Sequence, residues 1–138
     1  MTEFARAPRR ASTPGTILIV EDEVFIRLAL ADDLMDAGFV VLQAFNAAEA
    51  LQVLEASVDV DLLITDIRMP GPMDGLGLAT YARATWPLLK IMFISGNLTD
   101  LPADPPADAL LEKPYFQTAV IAGVRQLLNG SEQGRAAP

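Results

Sequence analysis

Short apolar runs, each followed by a segment of helical periodicity, constrain this chain more than any other feature. Ile17-Leu18-Ile19-Val20, Phe39-Val40-Val41-Leu42, Leu62-Leu63-Ile64-Thr65 and Ile91-Met92-Phe93-Ile94 carry almost no polar interruption. A half-exposed antiparallel strand would alternate apolar and polar side chains. A continuous run suits a strand covered on both faces, as in a parallel sheet with crossover helices. Between the runs, Glu23 to Ala37 predicts a helix with Val24, Leu28, Ala31 and Met35 at helical spacing and Gly38 just past its end. Asn46 is placed to cap a second helix through Ala56, with Ala47, Ala50, Leu51 and Leu54 on one face. Asp74 or a neighbour caps a third, which ends near Trp86-Pro87. Ala109-Leu110-Leu111 predicts a short fifth strand. Phe116 to Leu128 predicts the last helix, with Val120, Ile121, Val124 and Leu128 facing inward. The alternation gives an α/β fold with a parallel sheet covered on both faces. One stretch breaks the rhythm: Pro102, Pro105 and Pro106 leave no room for a full helix between strands four and five.

Residues 16–128 form the expected domain, with an N-terminal tail over 1–15 and a flexible C-terminal tail over 129–138. Residues 1–16 hold Arg6, Arg9 and Arg10 against Glu3, and the last ten hold one charge of each sign. The overall charge of −8 therefore becomes −10 over 17–128. Such a balance argues against nucleic acid as a partner, because phosphate backbones call for Lys and Arg. No segment reaches the ~20 apolar residues of a membrane span, and no apolar run near the start suits a secretory signal. A cytoplasmic location with no membrane partner is the expectation.

The chain has no His and no Cys. That excludes thiolate zinc sites, imidazole general bases and a Ser-His-Asp hydrolase. The chemistry that remains lies where an open α/β sheet places it, at the carboxyl ends of its strands. Strand one ends in Glu21-Asp22-Glu23, strand three in Asp66, strand four in Ser95 and strand five in Glu112-Lys113-Pro114. Carboxylates brought to one edge repel one another and need a cation. All-oxygen ligation favours Mg²⁺, then Mn²⁺ or Ca²⁺. A Lys and a hydroxyl beside that cation suit a phosphoryl group, and one carboxylate can serve as the nucleophile for an acyl phosphate.

The stretches ILIVEDE (17–23), LLITDIRMPG (62–71), MDGL (73–76), FISG (93–96) and LEKPY (111–115), in this order, resemble the response-regulator receiver domain of two-component signalling. The resemblance covers about residues 16–128. It implies a doubly wound five-stranded parallel sheet of order 2-1-3-4-5, with the helix between strands four and five short or missing here. It implies Asp66 as the phosphoacceptor. Mg²⁺ would be held by Asp22, Asp66 and the Arg68 backbone carbonyl, with Glu21 acting through a water. Ser95 would be the switch hydroxyl, Lys113 the cation paired with the phosphoryl group, and Lys113–Pro114 a cis peptide. Arg68 and Asn97 stand where family members tune phosphoryl lifetime. The chain departs from the pattern at Leu110, where the family usually has an aromatic side chain, and in a loop around Gly71-Pro72 one residue longer than the common form.

Other polar residues have structural readings. Glu23 is expected to stabilise the first turn of its helix. Asp32, Asp33 and Asp36 suit a solvated helix face, and Asp59 and Asp61 an exposed strand entrance. Trp86 suits core or rim packing. The first and last helices offer a partner surface.

The expected function is a single-domain response regulator, a phosphoacceptor and not an enzyme beyond self-phosphotransfer and autodephosphorylation. Its donor would be a sensor histidine kinase or a histidine phosphotransfer protein. Its output would be contact with a downstream protein, a phosphorelay step or service as a phosphate sink, because residues after 128 are too few for an output domain. A monomer or weak dimer is expected. The competing readings are a phosphorylation-independent pseudo-receiver scaffold, a small Mg²⁺-dependent aspartyl-phosphate phosphatase and a flavodoxin-like FMN carrier. The phosphatase wants an Asp-x-Asp run after strand one, where this chain has Glu-Asp-Glu. The FMN carrier wants a phosphate loop where three carboxylates stand.

Overall fold

The computed structural model describes residues 15–56 and 59–136, with side chains described through residue 129. The expected N-terminal tail, Gly15 apart, lies outside the described residues, as do the last two positions. The elements run β1 (Thr16–Val20), α1 (Val24–Asp36), β2 (Val40–Ala44), α2 (Ala47–Ala56), β3 (Leu62–Asp66), α3 (Gly75–Thr85), β4 (Lys90–Ser95), a 3-10 turn (Leu98–Asp100), β5 (Ala109–Glu112) and α4 (Gln117–Ala136). All five strands are parallel, in the order β2-β1-β3-β4-β5. The segment between β4 and β5 holds only the 3-10 turn, as its prolines predict.

Strand alternation sorts the core into two layers. Leu18, Val20, Leu63, Ile91 and Phe93 point to the face covered by α2 and α3, against Ala50, Leu54, Leu78 and Ala82. Ile17, Ile19, Ile64, Met92 and Ile94 point to the face covered by α1 and α4, against Leu30, Leu34, Val120 and Val124. Each of the three inner strands thus buries both faces, which is why its sequence is an unbroken apolar run.

The local signals act as their chemistry dictates. Asn46 Oδ1 accepts from the Glu49 N–H at 2.8 Å, and Glu49 Oε1 accepts from the Phe45 N–H at 2.8 Å, a reciprocal cap at the start of α2. Asp74 Oδ1 accepts from the Gly77 N–H at 2.9 Å and starts α3. Gly38 adopts φ +101° just past α1, a conformation that favours glycine. Trp86 ends α3 and meets Tyr81 edge to face, with centroids 6.1 Å apart.

Three expectations are corrected. The buried residues of α1 are Leu30, Ala31 and Leu34, whereas Val24, Leu28 and Met35 are exposed. The helix is apolar on most of its circumference, so spacing alone did not select the packed face. Asp61 is not simply exposed at a strand entrance: its Oδ2 accepts from the Thr16 N–H at 2.8 Å and anchors the start of β1. Finally, α4 continues past Leu128 to Ala136, with no proline to interrupt it before Pro138. Among the described residues no helix is long and apolar enough to cross a membrane.

Gly75 is the tightest point of the fold. A Cβ there would collide with the Asp66 carbonyl oxygen and crowd the Ile67 Cα, while the Gly75 N–H donates to the Ile67 carbonyl at 2.8 Å. Gly75→Ala is expected to lower stability by about 1–3 kcal/mol, measured by urea denaturation, because the clash is with backbone that cannot rotate away.

Candidate functional site

The parallel sheet brings four strand ends to one edge, those of β1, β3, β4 and β5. Asp66 closes β3 beside Ile94 of β4, and Ser95 closes β4 beside Glu112 of β5. Glu21 follows β1 directly, and its N–H donates to the Ala44 carbonyl at 3.1 Å, extending the β1–β2 pairing by one bond. Lys113 follows β5, and its N–H donates to the Ser95 carbonyl at 2.7 Å. The Lys113–Pro114 peptide is cis, as the resemblance implies.

Glu21, Asp22 and Asp66 each present a carboxylate oxygen, and these lie within 4.8 Å of one another. Lys113 Nζ reaches across them, donating to Asp66 Oδ2 at 2.8 Å and to Glu21 Oε1 at 3.2 Å. The Lys113, Asp66 and Glu21 side chains are 23%, 13% and 6% exposed, so one ammonium offsets two largely desolvated carboxylates. Glu21 Oε2 also accepts from the Glu23 N–H at 3.1 Å. Asp22 is exposed at the rim, and among the described residues no donor is bonded to its carboxylate. The donor set is all oxygen, convergent and only partly neutralised, so the residues present fit a hard divalent cation.

Burial pushes the Glu21 carboxyl above its ordinary value, more than the Glu23 N–H and the Lys113 charge pull it down. Burial alone would lower the Lys113 ammonium, but its bond to Asp66 and the two carboxylate charges outweigh burial and raise it. Tyr115 lies beside this group, and burial raises its phenol above the usual range.

Ser95 is buried. Its hydroxyl donates to the Asn97 carbonyl at 3.2 Å and accepts from the Asn97 N–H at 3.1 Å. Asn97 in turn caps the 3-10 turn, accepting from the Thr99 N–H at 3.0 Å. The Arg68 N–H donates to Asp66 Oδ1 at 3.3 Å, so the loop after β3 curls back over its own carboxylate. All six residues expected at the site therefore gather at one edge, with Arg68 joined through its backbone.

Two contributors escaped the sequence analysis. Asp100, in the 3-10 turn, takes the Arg68 guanidinium in a two-point pair, Nε to Oδ2 at 2.7 Å and Nη2 to Oδ1 at 2.9 Å. This pairing lowers the Asp100 carboxyl and raises the Arg68 guanidinium. Arg27 of α1 donates from Nη1 to the Glu21 carbonyl at 2.8 Å and from Nε to Gln43 Oε1 at 3.1 Å. Neither carries a motif; an arginine one helical turn into α1, beside an acidic strand end, was the available signal. Of the remaining acids, Glu23 precedes α1 without a side-chain cap, and Asp33 accepts from Gln117 Nε2 at 3.0 Å instead of standing free in solvent. Leu110 lies on the edge strand β5, partly exposed.

Lys113→Ala removes the only cation bonded to the Glu21 and Asp66 carboxylates among the described residues. The metal-free protein is expected to lose about 1–3 kcal/mol at neutral pH, because buried acceptors lose their donor. The raised Lys113 value means that its contribution is complete below the ordinary lysine value of about 10.4. It is lost as pH climbs through the higher folded value. Urea midpoints should therefore converge for wild type and variant at strongly alkaline pH. On acidification the part of the difference that comes from the Lys113–Glu21 pair should fade as Glu21, with its raised value, takes up a proton.

Comparison with known proteins bears on this edge. The family model described as the response regulator receiver domain matches residues 17–125. Over 122 residues the chain is 35% identical to the sensor kinase CckA of Brucella abortus, covering 85% of this chain and 13% of that protein. Over 116 residues it is 37% identical to the response regulator receiver protein CpdR of Brucella abortus, covering 81% of this chain and 95% of that protein. The chain thus spans a small part of the first relative and nearly the whole of the second. Among solved structures, the response regulator TrrA of Thermotoga maritima, in complex with Mg(2+)-BeF, superposes with a TM-score of 0.76 at 31% identity, covering 83% of this chain and 99% of that one. With the strand order, the acidic cluster and the bridging lysine in place, the chain belongs to the response regulator receiver domain family.

Proposed function

We propose that the chain is a phosphoacceptor of two-component signalling that takes a phosphoryl group on Asp66 from a partner's phosphohistidine. The observation that carries this reading is the Lys113 ammonium spanning Asp66 and Glu21 inside an all-oxygen acidic cluster. Mg²⁺, or Mn²⁺, would be held by Asp22, Asp66 and the Arg68 backbone carbonyl, with Glu21 contributing through a water. When bound, the cation offsets charge on the transferring phosphoryl oxygens.

The chain's own residues supply the rest. An Asp66 carboxylate oxygen attacks phosphorus; the O–P bond forms as the P–N bond breaks, and the departing imidazole nitrogen keeps the bonding pair. Lys113, already 2.8 Å from Asp66, pairs with the negative charge that accumulates there. Ser95 gives up its bond to the Asn97 carbonyl and donates to a phosphoryl oxygen instead. Because Asn97 caps the 3-10 turn, that exchange reaches the connection between β4 and β5. Water attack on phosphorus later releases inorganic phosphate and restores the carboxylate. The role is signalling and not turnover of a small substrate.

A sensor histidine kinase or histidine phosphotransfer protein is the proposed donor, in the cytoplasm. The extent of the match to CpdR supports a stand-alone regulator. Output would pass through a downstream protein, a phosphorelay step or a phosphate-sink role, from a monomer or weak dimer, with neither nucleic acid nor membrane as a partner.

Intact-mass spectrometry after incubation with acetyl phosphate or phosphoramidate tests the reading. One phosphoryl adduct is expected with Mg²⁺, and none with EDTA or in Asp66→Ala. An adduct that survives in Asp66→Ala overturns the assignment. Absence of both the adduct and Mg²⁺ binding points to a phosphorylation-independent scaffold. Lys113→Ala should slow adduct formation by about 10²-fold, the usual scale for removing one preorganised charge contact.

A further inference from the structure

We propose that Arg27 is a positioning residue of the acidic pocket: by anchoring the Glu21 carbonyl it sets the plane of the Glu21–Asp22 peptide and thereby aims the Asp22 carboxylate at the cation. The proposal rests on the Mg²⁺ reading given above.

The loop between β1 and α1 has three polar supports. The Glu21 N–H is bonded to the Ala44 carbonyl, which fixes the peptide before Glu21. The Glu23 N–H is bonded to Glu21 Oε2, which fixes the peptide after Asp22. The peptide between Glu21 and Asp22 is held from its carbonyl side by Arg27 Nη1 at 2.8 Å. A peptide unit is planar, so a fixed Glu21 carbonyl also fixes the direction of the Asp22 N–H and leaves the Asp22 Cα little freedom to swing. This matters at Asp22 in particular. Its carboxylate is exposed, and among the described residues nothing is bonded to it. The loop backbone is what positions its Cα, whereas Glu21 and Asp66 are also held by Lys113 through their side chains.

Arg27 is itself braced. Its Nε donates to Gln43 Oε1 at 3.1 Å, and Gln43 sits on β2 opposite Ile19 of β1. The guanidinium fork thus spans from the strand end to the neighbouring strand. A lysine offers one point donor at a different reach and cannot hold both acceptors in a plane. Groups that orient a metal ligand from behind commonly contribute about 10–100-fold to metal affinity.

Calorimetric titration of Mg²⁺ into the full chain tests this, with wild type, Arg27→Ala, Arg27→Lys and Gln43→Ala compared after circular dichroism has shown each to be folded. Arg83→Ala is the control. It removes another pair between elements, Arg83 to Asp108 at 2.9 Å, which takes no part in the pocket. Arg27→Ala is expected to weaken Mg²⁺ binding about 10-fold, and Arg27→Lys and Gln43→Ala by a smaller factor of about 2–5. Arg83→Ala should bind Mg²⁺ as wild type does, whatever it does to the melting temperature. Wild-type affinity in Arg27→Ala overturns the proposal, as does an equal loss in Arg83→Ala. Should Arg27→Ala fail to fold, wild-type affinity in both Arg27→Lys and Gln43→Ala overturns it. A wild-type chain that binds no Mg²⁺ overturns the pocket reading itself and this proposal with it, an outcome distinct from all the others.

Discussion

One ammonium group holds the business edge of this molecule together. Lys113 reaches from beyond β5 to Asp66 at the end of β3 and to Glu21 at the end of β1. Without a cation between them, two desolvated carboxylates on neighbouring strands would repel, and one would take up a proton. The raised Glu21 carboxyl shows that tension, because burial there outweighs the help of lysine. The arrangement is a compromise. One positive charge is enough to keep the edge assembled and too little to neutralise it, so the pocket retains an appetite for a further cation. Stability has been traded for readiness to bind.

The fold exists to deliver those side chains to one line. Parallel strands put every carboxyl end on the same edge, and the price is that the inner strands must be apolar on both faces. Two helices on each side meet that demand. The contact between Gly75 and the Asp66 carbonyl shows how closely the scaffold approaches the site: the first residue of α3 lies against the backbone of Asp66. The 3-10 turn stands where a full helix would otherwise lie, and it is tied back to the site at two points, through Asn97 to Ser95 and through Asp100 to Arg68.

Most of the fold is legible in the sequence because the signals are local and redundant. The apolar runs, the Asn46 and Asp74 caps and the glycine after α1 each act through neighbours a few residues away. The site is legible because the strand-end rule requires only that the strands be found. What escapes has a common physical cause. The packed face of α1 depends on which side the sheet lies, and Val24, Leu28 and Met35 are as apolar as Leu30 and Leu34. Asp61 looks like a solvated charge and in fact accepts a strand N–H. Arg27 and Asp100 act through long side chains on partners set by tertiary geometry, with 32 residues separating Asp100 from Arg68. No periodicity encodes such pairs.

The placement of Trp86 has a practical corollary. α3 begins against Asp66 and is closed by Trp86, eleven residues after Gly75, so about 16 Å of helix separates the residue that touches the Asp66 backbone from the tryptophan. The chain has one tryptophan, and its ring is engaged edge to face with Tyr81. Its emission therefore reports on the packing at the far end of α3, where Tyr81 meets it. For an optical spectroscopist this gives a natural fluorophore on the scaffold rather than in the pocket, suited to following unfolding, while a dye at the rim of the acidic cluster would report on the pocket itself.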